Sequence, residues 1–101
     1  MMDEQTVQEV FITVSNGSIS VSPDPFWIHK HKDQCVKWVC SQDFTVEFNA
    51  NDCPFYERQF SRDYPCSGLV RRNVVTDEKR IYKYTVRVGD DFLDPGGGVQ
   101  K

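Results

Sequence analysis

The chain has 101 residues, and a sequence of this length builds one domain around one core. Hydrophobic residues make up 39% and aromatic residues 13% of the sequence, which excludes a disordered chain and is enough for a packed interior. The formal charge of −3 at pH 7 gives no basic footprint, so we expect neither nucleic acid nor an anionic membrane as a partner.

The N-terminus carries acidic side chains where a signal peptide has basic ones, and no stretch approaches the ~20 apolar residues of a transmembrane helix. We therefore expect a soluble protein, cytoplasmic if the chain is complete and secreted or periplasmic if a leader has been removed. Residues 1–101 are predicted to form a single domain, with residues 1–8 and 95–101 as loose tails.

The chain begins with a predicted β-hairpin. Two alternating runs flank Asn16-Gly17, the dipeptide that most readily takes a positive φ at both centres of a type I′ turn. Two prolines in "SPDPFW" then mark a corner or a sheet edge, because proline cannot donate to a central ladder. The following "WIHKHKDQ" is predicted to be an edge strand that runs into a turn.

Three later runs, "CVKWVC", "FTVEFN" and "IYKYTVRV", have the period of two that is typical of strands with one buried face. The residues predicted to face the core are Val36, Trp38, Cys40, Phe44, Val46, Phe48, Tyr82, Tyr84, Val86 and Val88. Between the second and third runs, residues 49–73 lose this period, which predicts an irregular excursion with a helical turn or short edge strands. The final "DPGGGVQK" is predicted to be a loose tail or an added strand.

Short strands separated by turn signals, with almost no helical period, predict an all-β fold, a Greek-key β-sandwich. In their order along the chain, "ISVSPDP", "KDQCVKW", "FTVEF", "CPF", "YKYTVRV" and "LDPGGGV" resemble the cupredoxin-like domains, small Greek-key sandwiches related to plastocyanin and azurin. The resemblance is greatest to a short bacterial branch of these domains, and it covers nearly the whole chain, from Val10 to Val99.

The resemblance also implies where a copper site would lie. A blue-copper centre needs two histidines, one cysteine thiolate and a weak axial methionine. The matching positions are Phe44 or Asp43 for the first histidine, Val86 for the cysteine, Gly89 for the second histidine and Asp94 for the methionine. None of these residues supplies the required ligand, so we expect no type 1 copper and no other cofactor.

Two histidines offer a different metal hypothesis. His29 and His31 alternate along one predicted strand, which places both imidazoles on the same face at a spacing that can share a metal ion. This interpretation makes the chain a copper- or zinc-handling protein. A solvated edge strand rich in lysine explains the same pattern without a metal, and we favour that interpretation.

The four cysteines lack the paired C-x-x-C knuckles of a zinc ribbon. Cys53 and Cys66 lie in the irregular excursion, where a disulfide would contribute about 3 kcal/mol in the chain-entropy model if geometry and compartment allowed it. The alternative is a pair of reduced thiols, and the sequence does not decide between the two. Cys40 is predicted to be a small core residue, with Cys35 facing the other way along the same strand.

No catalytic residue is predicted, and we expect a protein that is not an enzyme. Neither histidine stands in a motif that would activate a cysteine. The glycine run, residues 96–98, lacks the Gly-Lys-Ser/Thr ending and the following helix of a phosphate-binding loop.

The excursion concentrates aromatic and arginine side chains, the residue types favoured in interface hot spots. One interpretation is a surface for a protein or glycan partner. The other is that the aromatic rings cap the open end of the sandwich beneath the arginine stems. The residues concerned are Phe55, Tyr56, Arg58, Phe60, Arg62, Tyr64, Arg71 and Arg72.

The sequence thus favours a non-catalytic recognition or accessory module, in which an edge strand offers a route to a homo-oligomer. The first alternative is metal handling through His29 and His31. The second is a thiol-responsive protein that uses Cys53 and Cys66.

Overall fold

The computed structural model describes residues 7–30, 34–74 and 80–100, and in these residues the chain forms two β-sheets. No helix in this part of the chain is long and apolar enough to cross a bilayer. The strands are, in chain order, β1 (Val7–Ser15), β2 (Ser18–Ser22), β3 (Phe26–His29), β4 (Cys35–Val39), β5 (Thr45–Phe48), β6 (Gln59–Ser61), β7 (Arg80–Val88), β8 (Asp91–Leu93) and β9 (Gly96–Gln100).

The first sheet has the order β2-β1-β4. Asn16 and Gly17 take φ values of 53° and 75° at the turn between β1 and β2, which confirms the predicted hairpin. β1 pairs in parallel with β4, so that Val10 lies beside Trp38. Parallel neighbours need a crossover connection, and here the chain between them passes through β3 of the other sheet.

The second sheet has the order β3-β9-β7-β5-β6, with β8 also paired to β7. β7 is its central strand and is antiparallel to β5, β8 and β9. β3 lies at one edge, as predicted for "WIHKHKDQ", and β6 at the other edge is the short strand expected within the excursion. The chain enters this sheet at β3, returns to the first sheet at β4 and enters the second sheet again at β5.

Trp38 of β4 fills the centre of the core and is only 1% exposed. Its ring centroid lies 5.1 Å from that of Phe60, 5.7 Å from Tyr84 and 6.2 Å from Phe26 and Phe48. These four rings belong to β6, β7, β3 and β5, so one indole of the first sheet packs against four strands of the second. Nine of the ten residues predicted to face the core are buried, and the tenth, Cys40, is half-buried against the core.

The prediction of a loose tail at the C-terminus is wrong. Gly96–Gln100 forms β9, which is paired to β3 on one side and to β7 on the other. At the other end β1 begins at Val7, within the predicted tail 1–8, while residues 1–6 lie outside the described part of the chain. Of the two alternatives given for the last segment, the added strand is the one that forms.

The glycines of β9 allow neighbouring aromatic rings to lie directly on its backbone. A Cβ at Gly97 would stand 2.1 Å from the ring of Phe26, and one at Gly98 would stand 2.2 Å from the indole of Trp27. Glycine inside a strand permits this close approach, which any side chain would block. The glycine run therefore serves packing within the sheet.

Candidate functional site

The eight residues predicted as an interaction surface fall into three groups, and the first group is buried. Phe55 and Phe60 are 1% and 3% exposed. Phe55 packs edge-on against Phe48 with ring centroids 5.6 Å apart, and Phe60 stacks on Trp38 at 5.1 Å. These two rings attach the excursion to the core, so they offer no surface to a partner.

The second group lies along β5 and β6. Arg58 and Arg62 pair with Glu47 and Asp43, each at 3.3 Å and each with both side chains well exposed. Such exposed pairs contribute about 0.2–1 kcal/mol to stability. Tyr64 is 69% exposed beside β6. The arginine charges of this group are therefore already matched within the molecule.

The third group forms a cleft. Tyr56, Arg71 and Arg72, together with Asn73, line an open cavity of about 480 Å³. We call these four residues the Arg72 cleft. The tyrosine ring is 68% exposed, Arg72 and Asn73 are exposed, and Arg71 is half-buried. The cleft thus combines an aromatic surface with hydrogen-bond donors, and none of its four residues is acidic.

A tight turn carries the two arginines of the Arg72 cleft. The N–H of Val74 donates to the carbonyl of Arg71 at 3.1 Å and closes the turn. The N–H of Arg71 donates to the carbonyl of Pro54 at 2.7 Å, and the N–H of Arg72 donates to the hydroxyl of Tyr56 at 3.1 Å. The turn is therefore attached to the beginning of the excursion on the side that faces the cleft.

Lys30 attaches the same turn to the end of β3. Its ammonium group donates to the carbonyl oxygens of Arg72 at 2.7 Å and Val74 at 2.6 Å. These partners are 42 and 44 residues away in sequence. An ammonium group has three donors, and Lys30 uses two of them on this turn. Lys30 therefore holds the backbone that carries the arginines.

The charges of Arg71 and Arg58 act on the thiol of Cys53 behind the cleft. The guanidinium of Arg71 donates to the carbonyl of Cys53 at 3.3 Å. Burial raises the pKa of the Cys53 thiol, and a hydrogen bond with Phe55 together with the charges of Arg71 and Arg58 opposes that rise. Asp52 has a smaller effect in the raising direction.

The arginines of the cleft differ from most others in having no acidic partner. In the described part of the chain, no carboxylate lies within ion-pair distance of Arg71 or Arg72. Arg87 also has none, and its guanidinium instead lies over the ring of Phe92, 5.6 Å from the centroid. The arginines that do pair with a carboxylate are Arg58, Arg62 and Arg80.

The two histidines of the metal hypothesis are only partly placed. His29 is half-buried at the end of β3, where its backbone N–H donates to the side-chain oxygen of Gln34. His31 lies outside the described residues. Across residues 7–30, 34–74 and 80–100, no group of three or more His, Cys, Asp or Glu side chains is placed to hold a metal ion. The two-histidine site stays a prediction.

The positions that the resemblance assigns to copper ligands carry side chains that do not fit the metal. Val86 is fully buried on β7 and Phe44 is 4% exposed in the core. Gly89, with φ of 60°, follows β7 and leads into β8. The carboxylate of Asp94 accepts a hydrogen bond from the hydroxyl of Thr85 at 2.7 Å. An apolar surface and a hard oxygen stand where type 1 copper requires imidazole and thiolate.

The structure does not join Cys53 to Cys66, and both thiols are free. Cys53 is buried, and its thiol donates to the carbonyls of Phe55 at 3.5 Å and Glu57 at 3.4 Å. Cys66 is exposed, and its backbone forms an isolated antiparallel β-bridge with Lys37 of β4. Since paired residues of neighbouring strands share a face, Cys66 lies on the outer face of the first sheet, away from the core that contains Cys53.

Cys35 of β4 lies on the same face of the first sheet as Cys66. Residues two apart on a strand point to the same face, so Cys35 lies on the side that Lys37 and Cys66 share. Burial raises the pKa of the Cys35 thiol, and the charge of Cys66 adds to that rise. No local pattern indicates this arrangement, because the pairing of Lys37 with Cys66 crosses an irregular segment.

Two residues of the site were not among those predicted. Lys30 stands in the "HKHK" run, and nothing local indicates that it binds a turn more than forty residues away. The sequence pattern identifies Asn73 only as the end of the excursion. Its residue type was a usable signal, since asparagine is favoured in turns and follows two arginines here.

Comparisons of the chain with protein-family models, with curated proteins and with solved structures find no match.

Proposed function

We propose that this protein is a non-catalytic recognition module on a copper-free cupredoxin-like sandwich, with the Arg72 cleft as its binding surface. The observation that carries the proposal is a pair of adjacent arginines with no acidic partner among the described residues, set beside an exposed tyrosine ring. Arginine and tyrosine are the residue types that most often dominate binding energy. Elsewhere in the excursion, Arg58 and Arg62 are ion-paired and Phe55 and Phe60 are buried. Tyr64 is exposed but does not line the cleft.

The path of the chain supports the cupredoxin-like part of the proposal. The chain changes sheet at β3, at β4 and at β5, and a Greek-key sandwich requires connections that cross in this way. The residues at the copper-ligand positions favour a member of this class that works without the metal. In such a member, the end of the molecule that holds these positions carries out no copper-based redox chemistry.

The state of the buried thiol supports the absence of catalysis. An activated cysteine nucleophile has a lowered pKa and is accessible to substrate. Cys53 has the opposite character, because it is only 8% exposed and its pKa is raised by burial. Its thiol serves the local structure by donating to two carbonyl groups.

Affinity enrichment with matched variants tests the recognition role. The wild-type protein, Arg72→Ala and Arg62→Ala would be immobilised in parallel, with the bound proteins and glycans identified for each. We expect partners that the wild type and Arg62→Ala retain and that Arg72→Ala loses. Identical partners for all three variants, or none for the wild type, would remove the cleft from consideration as a recognition surface.

Metal analysis tests the alternative of a copper- or zinc-handling protein. Protein purified without an affinity tag or chelator would be assayed for metal and then titrated with Cu(II) and Zn(II), beside the His29→Ala, His31→Ala double variant. We expect no stoichiometric metal and only weak binding that the double substitution leaves unchanged. Stoichiometric metal that disappears in the double variant would replace the recognition module with a metal-handling protein.

One observation favours the thiol-responsive alternative in a modified form, with Cys35 and Cys66 as the relevant pair in place of Cys53 and Cys66. Thiol counting under native conditions before and after exposure to glutathione disulfide tests it. A disulfide between Cys35 and Cys66, found by peptide mapping, would support this alternative. Full recovery of all thiols would leave the recognition module as the better account.

A further inference from the structure

We propose that the Arg72 cleft binds a short acidic segment of a partner protein, with carboxylates of that segment on the guanidinium groups of Arg71 and Arg72. This inference rests on the recognition function proposed above and names the chemical class of the partner. Planar guanidinium groups match carboxylates with two parallel N–H···O bonds, and such charge-assisted bonds are roughly twice as strong as neutral ones.

The distribution of ion pairs in the molecule indicates an anionic ligand. Acidic residues outnumber basic ones in the chain, 15 to 12, so carboxylates are not scarce. Arg58, Arg62 and Arg80 each take one as a partner. The two arginines that line a common cavity take none in the described part of the chain. Among the described residues, no carboxylate therefore competes with an acidic group from another molecule for these charges.

The turn presents these charges with little freedom of the backbone. Its N–H and C=O groups are bonded to Pro54, Tyr56 and Lys30. Binding to a surface that is already ordered loses less conformational entropy than binding to a loose loop. We infer that the arginine side chains, rather than the chain that carries them, make the final adjustment to the ligand.

The remaining residues of the cleft suit a peptide. The ring of Tyr56 is 68% exposed and offers a flat apolar surface, which can cover the stem of an acidic residue or an aromatic neighbour. The amide of Asn73 has both donors and an acceptor, as the recognition of a peptide backbone requires. An acidic peptide uses all three chemical features of the cleft.

The charge around the cleft argues against long polyanions. Nucleic acid binding requires a basic stripe or patch that follows the phosphate backbone. Here the exposed Glu57 follows Tyr56 in sequence and the formal charge of the whole chain is −3. A long polyanion would need basic residues beyond the two arginines, whereas a short segment needs only these two.

Fluorescence anisotropy with a labelled peptide of alternating Glu and Ser tests the inference, and a peptide of alternating Gln and Ser is the matched probe. We expect the wild type to bind the acidic probe, with an affinity that weakens as salt is raised, and to ignore the amide probe. Arg72→Gln should weaken binding about tenfold, as expected for loss of one charge-assisted contact of ~1.4 kcal/mol. Arg62→Gln, which removes the same charge from an ion pair with Asp43, should change affinity less than about twofold.

Three results would overturn the inference. Equal losses in Arg72→Gln and Arg62→Gln would show that net charge, rather than the cleft, attracts the probe. Equal binding of the acidic and amide probes would remove the carboxylates from recognition. Tighter binding of a heparin fragment or an RNA oligonucleotide than of the acidic probe, lost in Arg72→Gln, would assign the cleft to polyanions.

The enrichment experiment separates this inference from the proposed function. If partners are lost in Arg72→Ala while the acidic probe fails to bind, the recognition role stands and the acidic class is wrong. If neither experiment depends on Arg72, both are wrong. Arg72→Gln is expected to fold normally, since the side chain is exposed and the hydrogen bonds that hold the turn use the backbone of this residue.

Discussion

The long strand β7 and the 49–73 excursion contain the same types of aromatic residue and place them by different rules. In β7, Tyr82 and Tyr84 are both buried, because they occupy alternate positions on one face of a central strand. In the excursion, the adjacent residues Phe55 and Tyr56 are 1% and 68% exposed. Burial in the strand follows the period of two, whereas burial in the excursion follows no fixed period, with residues 53–55 buried and residues 56–59 exposed.

The difference comes from the backbone hydrogen bonds. Pairing of β7 with β5, β8 and β9 places every residue of the strand in a ladder, and a ladder imposes the period of two. Outside the short strand β6, the excursion is held at separate points, such as the bond from Trp38 N–H to Pro65 carbonyl at 3.0 Å and that from Phe48 N–H to Arg58 carbonyl at 2.8 Å. Each point orients a few residues only. Such a segment can therefore bury or expose several consecutive residues, which allows it to stabilise the core and form a binding surface at once.

The largest expected effect on stability is at Trp38, the residue of β4 that packs against both regions. Trp38→Ala should cost ~3–5 kcal/mol in the free energy of unfolding, as measured by urea denaturation, because its ring contacts both Tyr84 of β7 and Phe60 of the excursion. Leu69→Ala, at a site 52% exposed, should stay within about 0.5 kcal/mol of the wild type. Similar stabilities for the two variants would mean that Trp38 is not the centre of the core.

The adjacent pair in the excursion allows a direct comparison. Phe55→Ala should cost ~3 kcal/mol, because it leaves a cavity against Phe48 and Phe60. Tyr56→Ala should cost less than about 1 kcal/mol and should weaken binding of the acidic probe. Urea denaturation and fluorescence anisotropy measure the two properties. A large loss of stability in Tyr56→Ala, with binding unchanged, would make Tyr56 a structural residue only.

The glycine strand tests the effect of close packing on a regular ladder. Gly97→Ala should cost ~1–3 kcal/mol, since the new Cβ would meet the ring of Phe26, which is 0% exposed and has no room to move. Gly96→Ala should cost less, because its nearest contact is the Cγ2 of Ile81, a side chain 41% exposed. Thermal unfolding of both variants checks the order. The reverse order would contradict the packing described for β9.

The smallest expected effect is in the pH dependence of stability. Burial raises the pKa of Tyr84, the neighbouring indole of Trp38 partly opposes that rise, and the charge of Asp24 adds a smaller raising effect. The unfolded chain releases this proton near pH 10 while the folded protein retains it, so the unfolded state binds fewer protons and stability falls as pH rises above about 10. Urea denaturation across this range should show a shallower loss for Tyr84→Phe than for the wild type. An unchanged slope would show that another group controls the alkaline transition.

Local patterns of residue type are enough to predict the regular part of this protein. The hairpin follows from Asn16 and Gly17, which adopt positive φ as their residue types predict. The inward faces of β4, β5 and β7 follow from strict alternation around Trp38, Val46 and Tyr84. These features are local, because a residue's own conformational preference or the period of two is enough to fix them.

The grouping of residues from distant segments depends instead on the packing of the two sheets. The alignment of β9 between β3 and β7 depends on rings such as Phe26 that lie far away in sequence. The same is true of Lys30 on the Arg71 turn and of Cys66 beside β4. Each of these contacts joins segments that share no local pattern, and its geometry exists only once both sheets have formed. The candidate site is therefore composed of residue types that the sequence shows and of a grouping that the fold supplies.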